Sequence, residues 1–485
     1  MEKITHQPFL APTLRFGIRG IKVRQSSDNQ FYVDDVSGLN RHKVRAYCKL
    51  AHDHHTAIRQ LRDLLSEARQ NAWPVSVAGS GLSLGGQTVA PRGLFIDMAD
   101  YNQIKSLGKD LVRVDTGATW KNLSAHLNQT GQSIGIMQSG GNDFSVGGSL
   151  GTNVHGWQVN HPPLISSVKG FHLMKASGEV VYCDRTQNPD LFKAVIGGFG
   201  LLGVVLDVDL KTIPNERYQP KKHYMPVQAL PEFFEKEIQD NPQVGMAYTR
   251  LSIDKKHFLQ EASVVSFRRT EPPSDKKIIS NLRQGWAFRA SRRLAGTVFR
   301  ATYGSERMKR LRWLLEKHIN LHVGKPTRNQ LQNESASLFM NKQPDFTDIL
   351  HEYFIPTNRF NEFMEKIRPL IPAADIDLLN ATVRDVKADR ESLMPYARKD
   401  CFSLVLFFHQ QKTSEAEARM QALTRELIDA ARDCQGSYYL PYRPHATLEQ
   451  FKDIYPEHRQ FMALKAKHDL DNVFQNEFAQ RYLSL

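Results

Sequence analysis

The sequence predicts an α+β protein built in parts, and three observations predict it. Glycine-dense loops alternate with short apolar strands through residues 1–215. After Pro214 the glycine density falls, and long helical stretches mix with strands through 216–435. Residues 436–485 then read as a separate closing segment. A chain of 485 residues is too long for one compact core.

The elements follow in order. Residues 1–50 are mixed and carry no clear assignment. Ile58, Leu61, Leu64, Leu65 and Ala68 recur at helical spacing across 53–72, with Asp53 placed to cap the helix. A strand at 74–78 runs into the loop Gly79-Ser-Gly-Leu-Ser-Leu-Gly-Gly86. Strands are expected at 94–96 and 111–114, and a helix at 120–127. Two strands at 168–176 and 180–182 share the turn Ser177-Gly178. A helix at 190–194 and a strand at 203–210 close this part. Beyond Pro214, helices are expected at 231–238, 306–319, 360–371 and 414–431. Strands are expected at 262–267, 348–355, 380–386 and 402–408, and the tail from Leu448 is helical.

Composition is that of an ordinary soluble globular protein, with 41% hydrophobic and 24% charged residues. No apolar run approaches the roughly 20 residues that span a bilayer, and the first residues lack a signal-peptide core, so the expected location is cytoplasmic. Cys48, Cys183, Cys401 and Cys434 are scattered without a CxxC pair. They read as free thiols, with no metal site expected. The net charge of +13 is concentrated: residues 276–328 hold fourteen Lys/Arg against two Asp/Glu.

Glycine loops carry the strongest chemical signal. A glycine-rich turn can present successive backbone N–H groups to an anion, because only glycine permits both the dihedrals and the close approach. Alone, GSGLSLGG reads equally as a phosphate nest or as a bare hairpin loop. It does not open a helix as a GxGxxG fingerprint does. A second glycine-dense region at 140–156 and a third at 197–203 follow. Three such loops between strands suit an extended ligand touched by bare backbone at several points, as a dinucleotide is.

Four blocks in this order, PVSVAGSGLSLGGQ, VDTGATWKNLSAHL, SVGGSLGTNVHG and GGFGLLGVVLDV, with the tail KHDLDNVFQNEFAQRYL, resemble the vanillyl-alcohol-oxidase (PCMH-type) FAD-binding family. Within that family the chain is similar to aldonolactone and alditol oxidases, cytokinin dehydrogenases and decaprenylphosphoryl-ribose oxidase. The resemblance implies a two-part FAD-binding domain (1–215, with 436–485 returning to it) and an α/β substrate domain with an antiparallel sheet (216–435). It implies that Gly79, Ser80, Gly81, Leu82 and Ser83 bind the pyrophosphate. Gly140, Ser145, Gly147, Gly148, Thr152, Asn153, His155 and Gly156 would flank the flavin. Val204 and Val205 would lie near the adenine half, and Asn476 near the isoalloxazine edge. Many members link flavin to a His in a GxGHS loop, but here that position is Leu82, and the 135–156 block holds no cysteine. The expectation is therefore dissociable FAD.

The flavin accepts hydride, so the protein must orient the donor carbon and handle the hydroxyl proton. The strand Asn380–Val386 puts Thr382 and Arg384 on one face. Alditol-oxidase-like members read E-x-R there; this chain keeps Arg384 and has Thr382 in place of the Glu. Arg384 could stabilise a reduced flavin anion or a developing alkoxide, or form a structural ion pair with Asp385 or Asp389. Tyr442 falls where related oxidases place a catalytic Lys. It would accept a proton if its pKa were lowered, and otherwise bind substrate or form an aromatic wall. His155 matches a His near the flavin in decaprenylphosphoryl-ribose oxidase. Glu352 is a weaker candidate, read first as a paired or solvated carboxylate, and His54 and His55 are given no role.

In 276–328 the charge is interleaved with Trp286, Phe288, Phe299, Tyr303 and Trp313. That pattern suits peripheral contact with an anionic membrane, entry of a phosphorylated or lipid-linked substrate, or simply a solvated insertion. No nucleic-acid module is present, so no specific nucleic-acid partner is expected. The reading is a FAD oxidoreductase acting on the CH–OH group of a sugar, polyol, aldonolactone or lipid-linked sugar. The alternatives are a CH–N dehydrogenase of the cytokinin type and a basic binding protein with a vestigial flavin fold.

Overall fold

Asp53 caps the first long helix, His54–Gln70, by accepting the Thr56 amide at 2.9 Å. Its buried stripe is Ala57, Leu61, Leu65 and Ala68, while Ile58 and Leu64 pack at the margin. That stripe lies on a three-stranded parallel sheet of order Ala46–Lys49, Leu94–Asp97, Val75–Ala78. The computed structural model describes residues 22–26, 30–271, 277–282, 296–318, 324–335, 341 and 343–483. Trp286 and Phe288 of the basic segment lie outside the described residues.

The unassigned N-terminal stretch is strand-rich. Lys22–Gln25, Phe31–Asp34 and His42–Val44 form an antiparallel sheet ahead of Ala46–Lys49. A second, six-stranded antiparallel sheet is centred on the long strand Val204–Pro214, which pairs with Val168–Met174, Leu111–Asp115 and Gln132–Ile134. Val180–Asp184 and Ile104–Ser106 form its edges. The chain leaves this sheet at Pro214, where the change in texture was expected.

The later residues build a seven-stranded antiparallel sheet. Its order is Tyr218–Pro226, Glu261–Arg269, Val244–Leu251, Asp377–Val386, Cys401–Gln411, Phe346–Pro356, Ser437–Tyr438. Three of these strands, Tyr218–Pro226, Val244–Leu251 and the two-residue Ser437–Tyr438, were not foreseen. Tyr218–Pro226 carries two prolines, two lysines and a histidine in nine residues, a composition tolerated only at a sheet edge, where it lies. Val244–Leu251 lacks a clear alternation because both its faces are covered. The expected helix at 231–238 is instead a short helix, Leu230–Phe234, running into a π-turn, Glu235–Gln239.

Helices Phe360–Ala373 and Ser414–Asp433 cover one face of this sheet, and Leu404, Leu406 and Phe408 join their core. Alternation turns Ser403, Val405 and Phe407 to the opposite face. That second face looks toward the glycine loops. The closing segment returns to the parallel sheet: the Val75 amide donates to Val473 O at 2.7 Å, and the Gln475 amide donates to Val75 O at 3.0 Å. Among the described residues no helix is long and apolar enough to cross a membrane.

Candidate active site

The strand Val75–Ala78 ends in the first glycine loop, which is pinned sideways to the second. The Ser80 hydroxyl donates to Asp143 O at 2.7 Å and the Ser80 amide donates to the Ser145 hydroxyl at 3.3 Å. Ser145 in turn caps the short helix Val146–Gly151, its hydroxyl accepting the Gly148 amide at 3.2 Å. The backbones come too close for side chains. A Cβ on Gly79 would lie 1.9 Å from Ser145 Oγ, and one on Gly147 would lie 2.6 Å from Thr116 Cβ. Gly81 has φ +64°, a conformation that favours glycine.

Between these loops and the open face of the seven-stranded sheet lies a cavity of about 820 Å³. It is at the upper end of the size of small-molecule sites. The Gly81, Leu82 and Ser83 amides donate to no group among the described residues. The Ser83 hydroxyl is buried beside this loop with no partner among the described residues. Buried polar groups are ordinarily satisfied, so these donors fit a ligand of many acceptor oxygens. The residues present fit the diphosphate of a dinucleotide.

On the sheet side, register sets a row of side chains across four strands. Arg250 faces Thr382, Thr382 faces Val405, and Val405 faces Glu352, all lining the cavity. Glu352 is the hub. It is 3% exposed, accepts His155 Nε2–H at 2.6 Å, and accepts the Tyr442 hydroxyl at 3.1 Å. The Ser403 hydroxyl donates to it as well. Burial would raise the Glu352 carboxyl; His155, Arg384 and Ser403 outweigh burial and hold it down at about 2. Glu352 therefore stays ionised at any working pH and serves as an anchor, too weak a base to take a proton itself.

Tyr442 departs from the proton-acceptor expectation. Burial, reinforced by the neighbouring Glu352 charge, drives its phenol well above the ordinary value. It is a neutral donor to Glu352. Tyr442→Phe is expected to keep flavin reduction within about tenfold of the parent and to leave its pH profile unshifted between roughly pH 6 and 9. Stopped-flow reduction across that range checks this.

Most residues implied by the resemblance line the cavity: Gly79, Ser80, Gly81, Leu82, Ser83, Gly140, Ser145, Gly147, Gly148, Thr152, His155, Val204, Val205, Arg384 and Tyr442. Asn153, Gly156 and Asn476 are not part of its wall. Asn153 turns away, donating to Asp389 at 2.8 Å and accepting the Ile165 amide at 3.0 Å. Gly156 sits where a Cβ would lie 2.0 Å from Met137 O. Asn476 stands behind the first loop, its amide bridging Gln87 O at 2.8 Å and Phe199 O at 3.0 Å. The ion pairs considered for Arg384 are not formed. Asp385 accepts from Asn160 and Gln239, and Asp389 from Asn153 and Ser392.

Residues that sequence reasoning missed also reach the site. Arg250 donates to the Thr382 hydroxyl. Arg312 comes from the helix Glu306–His318, pairing with Glu316 at 2.7 Å and donating to Leu379 O at 2.7 Å. Tyr439 donates to Thr152 O at 2.8 Å and stacks edge-on with Tyr442. Glu352 was ranked low because a lone carboxylate in a strand reads as paired. It is paired, but with His155, 197 residues away in the chain, a partner no local pattern reveals.

Comparison with known proteins matches both parts of the chain to known families. The FAD binding domain family matches residues 54–184, and the D-arabinono-1,4-lactone oxidase family matches residues 208–482. L-gulono-1,4-lactone dehydrogenase from Mycobacterium tuberculosis is 23% identical over 445 residues, covering 88% of this chain and 94% of that one. L-gulonolactone oxidase from Mus musculus is 31% identical over 162 residues, 33% of this chain and 36% of the oxidase. Cytokinin dehydrogenase 2 from Oryza sativa is 30% identical over 156 residues, 30% of this chain and 28% of the other. The match thus spans little more than a third of the length of the mouse oxidase. With a FAD-binding domain followed by a matching segment that takes up more than half of its length, the chain belongs to the D-arabinono-1,4-lactone oxidase family.

Proposed function

We propose that this protein is a FAD-linked oxidoreductase that oxidises a CH–OH group of an aldonolactone or a related sugar. In this reading residues 1–215 and 436–485 hold the cofactor, and 216–435 hold the substrate. The observation that carries it is the pairing of two unlike walls around one cavity. One wall is bare backbone with unsatisfied amides; the other presents His155, Glu352, Tyr442 and Arg384. When bound, FAD supplies the two-electron acceptor.

The chain's own residues supply orientation and proton handling. His155 donates a hydrogen bond from Nε2–H to the Glu352 carboxylate, and its Nδ1 is buried with no partner among the described residues. In this reading His155 takes the hydroxyl proton, with Glu352 fixing the tautomer as in other carboxylate–histidine pairs; the absence of another hydrogen-bonding role for Nδ1 among the described residues supports it. Arg384 supplies positive charge where negative charge develops. Tyr439 and Tyr442 wall the site and exclude water.

Anaerobic mixing with a panel of aldonolactones, polyols and amines tests the reading. Bleaching of the flavin by lactones is expected. Bleaching by amines alone would overturn it in favour of CH–N oxidation. Because Leu82 replaces the flavin-linking His, the FAD is proposed to be dissociable. Acid precipitation should leave a colourless pellet and a yellow supernatant, and colour retained in the washed pellet would contradict this.

Peripheral membrane contact is a further part of the proposal. In the helix Glu306–His318, Trp313 and Lys309 are buried while Leu311, Leu314 and Leu315 are 47%, 45% and 39% exposed. Arg307 and Arg310 are exposed beside them. Leucines flanked by cations suit an anionic headgroup surface, at about 1 kcal/mol per cation. The protein should sediment with phosphatidylserine-containing vesicles and not with phosphatidylcholine alone, and Leu314→Glu should weaken this. Equal behaviour with both vesicles would refute the contact.

A further inference from the structure

Among the described residues five cations line the cavity, Lys222, Arg250, Arg312, Arg384 and Lys412, against four carboxylates, Glu316, Glu334, Asp348 and Glu352. Arg250 and Thr382 are cross-strand neighbours, and Arg384 lies two residues on from Thr382, on the same face. Arg312 reaches the same cavity from the helix Glu306–His318, and Lys222 reaches it from the edge strand. The carboxylates nearest the two sheet arginines are Glu316 and Glu352. Glu316 is engaged by Arg312 at 2.7 Å; Glu352 is engaged by His155, Ser403 and Tyr442.

That leaves Arg250 and Arg384. Among the described residues neither forms an ion pair with a carboxylate. The one side-chain hydrogen bond from Arg250 goes to the neutral Thr382 hydroxyl. Burial, with the nearby Arg312 and Arg384 charges, lowers the Arg250 guanidinium below its ordinary value. Arg250 and Arg384 are each half-buried with one carboxylate nearby, Glu316 for Arg250 and Glu352 for Arg384, and each of those carboxylates is already held by other donors. Two guanidinium groups on one cavity wall repel each other as well. Neighbouring charges in a cavity with low-dielectric walls focus their field on whatever enters it. A guanidinium fork is matched to planar or tetrahedral oxyanions, which it grips through paired N–H donors.

We propose that Arg250 and Arg384 form an oxyanion subsite at the substrate end of the cavity, so that the preferred substrate is a sugar or lactone carrying a phosphate or carboxylate group. This deepens the proposed oxidation and rests on it for the identity of the reacting carbon, but the binding claim stands on the cations alone. The replacement of a carboxylate by Thr382 in the E-x-R pattern fits the same idea. A carboxylate there would cancel the field, whereas a hydroxyl leaves it.

The test uses the purified, flavin-loaded protein. D-ribose, D-ribose 5-phosphate and D-glucuronate are titrated while the visible flavin spectrum and the heat of binding are followed. The phosphate ester or the uronate should bind about tenfold or more tightly than the neutral sugar. The two charged arms distinguish a phosphoryl from a carboxylate preference. Inorganic phosphate should compete, and the preference should shrink as salt rises. Arg250→Met should erase the preference while FAD content is retained, and Arg250→Lys should keep part of it. Should Arg250→Met fail to fold, phosphate competition and salt dependence in the parent protein decide the matter.

Equal affinity for charged and neutral sugars, or a preference undiminished in Arg250→Met, overturns the subsite. The two readings fail separately. Lactones that bleach the flavin with no gain from a charged group sink the subsite and spare the oxidation. Charge-selective binding with no bleaching by any lactone does the reverse.

Discussion

Gly79→Ala is expected to weaken FAD binding by roughly ten- to hundredfold, the equivalent of the ~1–3 kcal/mol that overpacking costs. The added methyl would sit 1.9 Å from Ser145 Oγ and 2.6 Å from Ser145 Cβ, so Ser145 must move. Ser145 is the clip of the cradle, accepting both the Ser80 and the Gly148 amides. Displacing it separates the first two glycine loops along the cavity wall. Fluorescence titration of flavin-free protein with FAD measures the loss. A second substitution, Ser145→Gly, should restore part of the affinity in the Gly79→Ala background, because it removes the clashing group. Parent-like affinity in Gly79→Ala would mean that the close contact of the two loops has no bearing on the cofactor.

Arg384→Met is expected to slow flavin reduction on the order of 10²- to 10³-fold, the typical cost of removing one preorganised charge from a site where charge develops. FAD content should stay at the parent level, because Arg384 belongs to the sheet wall and not to the glycine loops. The magnitude follows from the lack of any ion pair that would hold the side chain away from the cavity among the described residues. Asp385 and Asp389, its sequence neighbours, are fully engaged elsewhere. The nearby Glu352 is held by three other donors. Arg384→Lys should recover part of the rate, since it keeps the charge and loses the fork. Rapid-mixing reduction under anaerobic conditions reads both variants. Rates within a few-fold of the parent would remove Arg384 from the chemistry.

The cofactor half of this molecule was legible in the sequence because its signal is local. The loop at 79–86 follows its strand directly, and Asp53, the apolar stripe of 54–70 and the turn at 177–178 each act within one or two turns of chain. Bare backbone announces itself as glycine. The part after Pro214 was legible only in part. Strands such as Cys401–Gln411 are apolar enough to stand out, whereas Tyr218–Pro226 is disguised by its prolines and cations. The chemistry there depends on register between distant strands. Glu352 meets His155, and Arg250 meets Thr382, only once the seven-stranded sheet is assembled. Asn476 shows a reading made by resemblance rather than by local pattern. Its position beside the flavin came by analogy, but its amide is spent holding Gln87 and Phe199 together.

The claim on which all else depends is that the two walls enclose one molecule of FAD. The direct measurement is a titration of flavin-free protein with FAD, followed by visible difference absorbance, with far-UV circular dichroism confirming the fold. The account predicts a saturable shift of the flavin bands that ends at one FAD per chain. Bands that track free flavin at every ratio, over protein that remains folded, would contradict it.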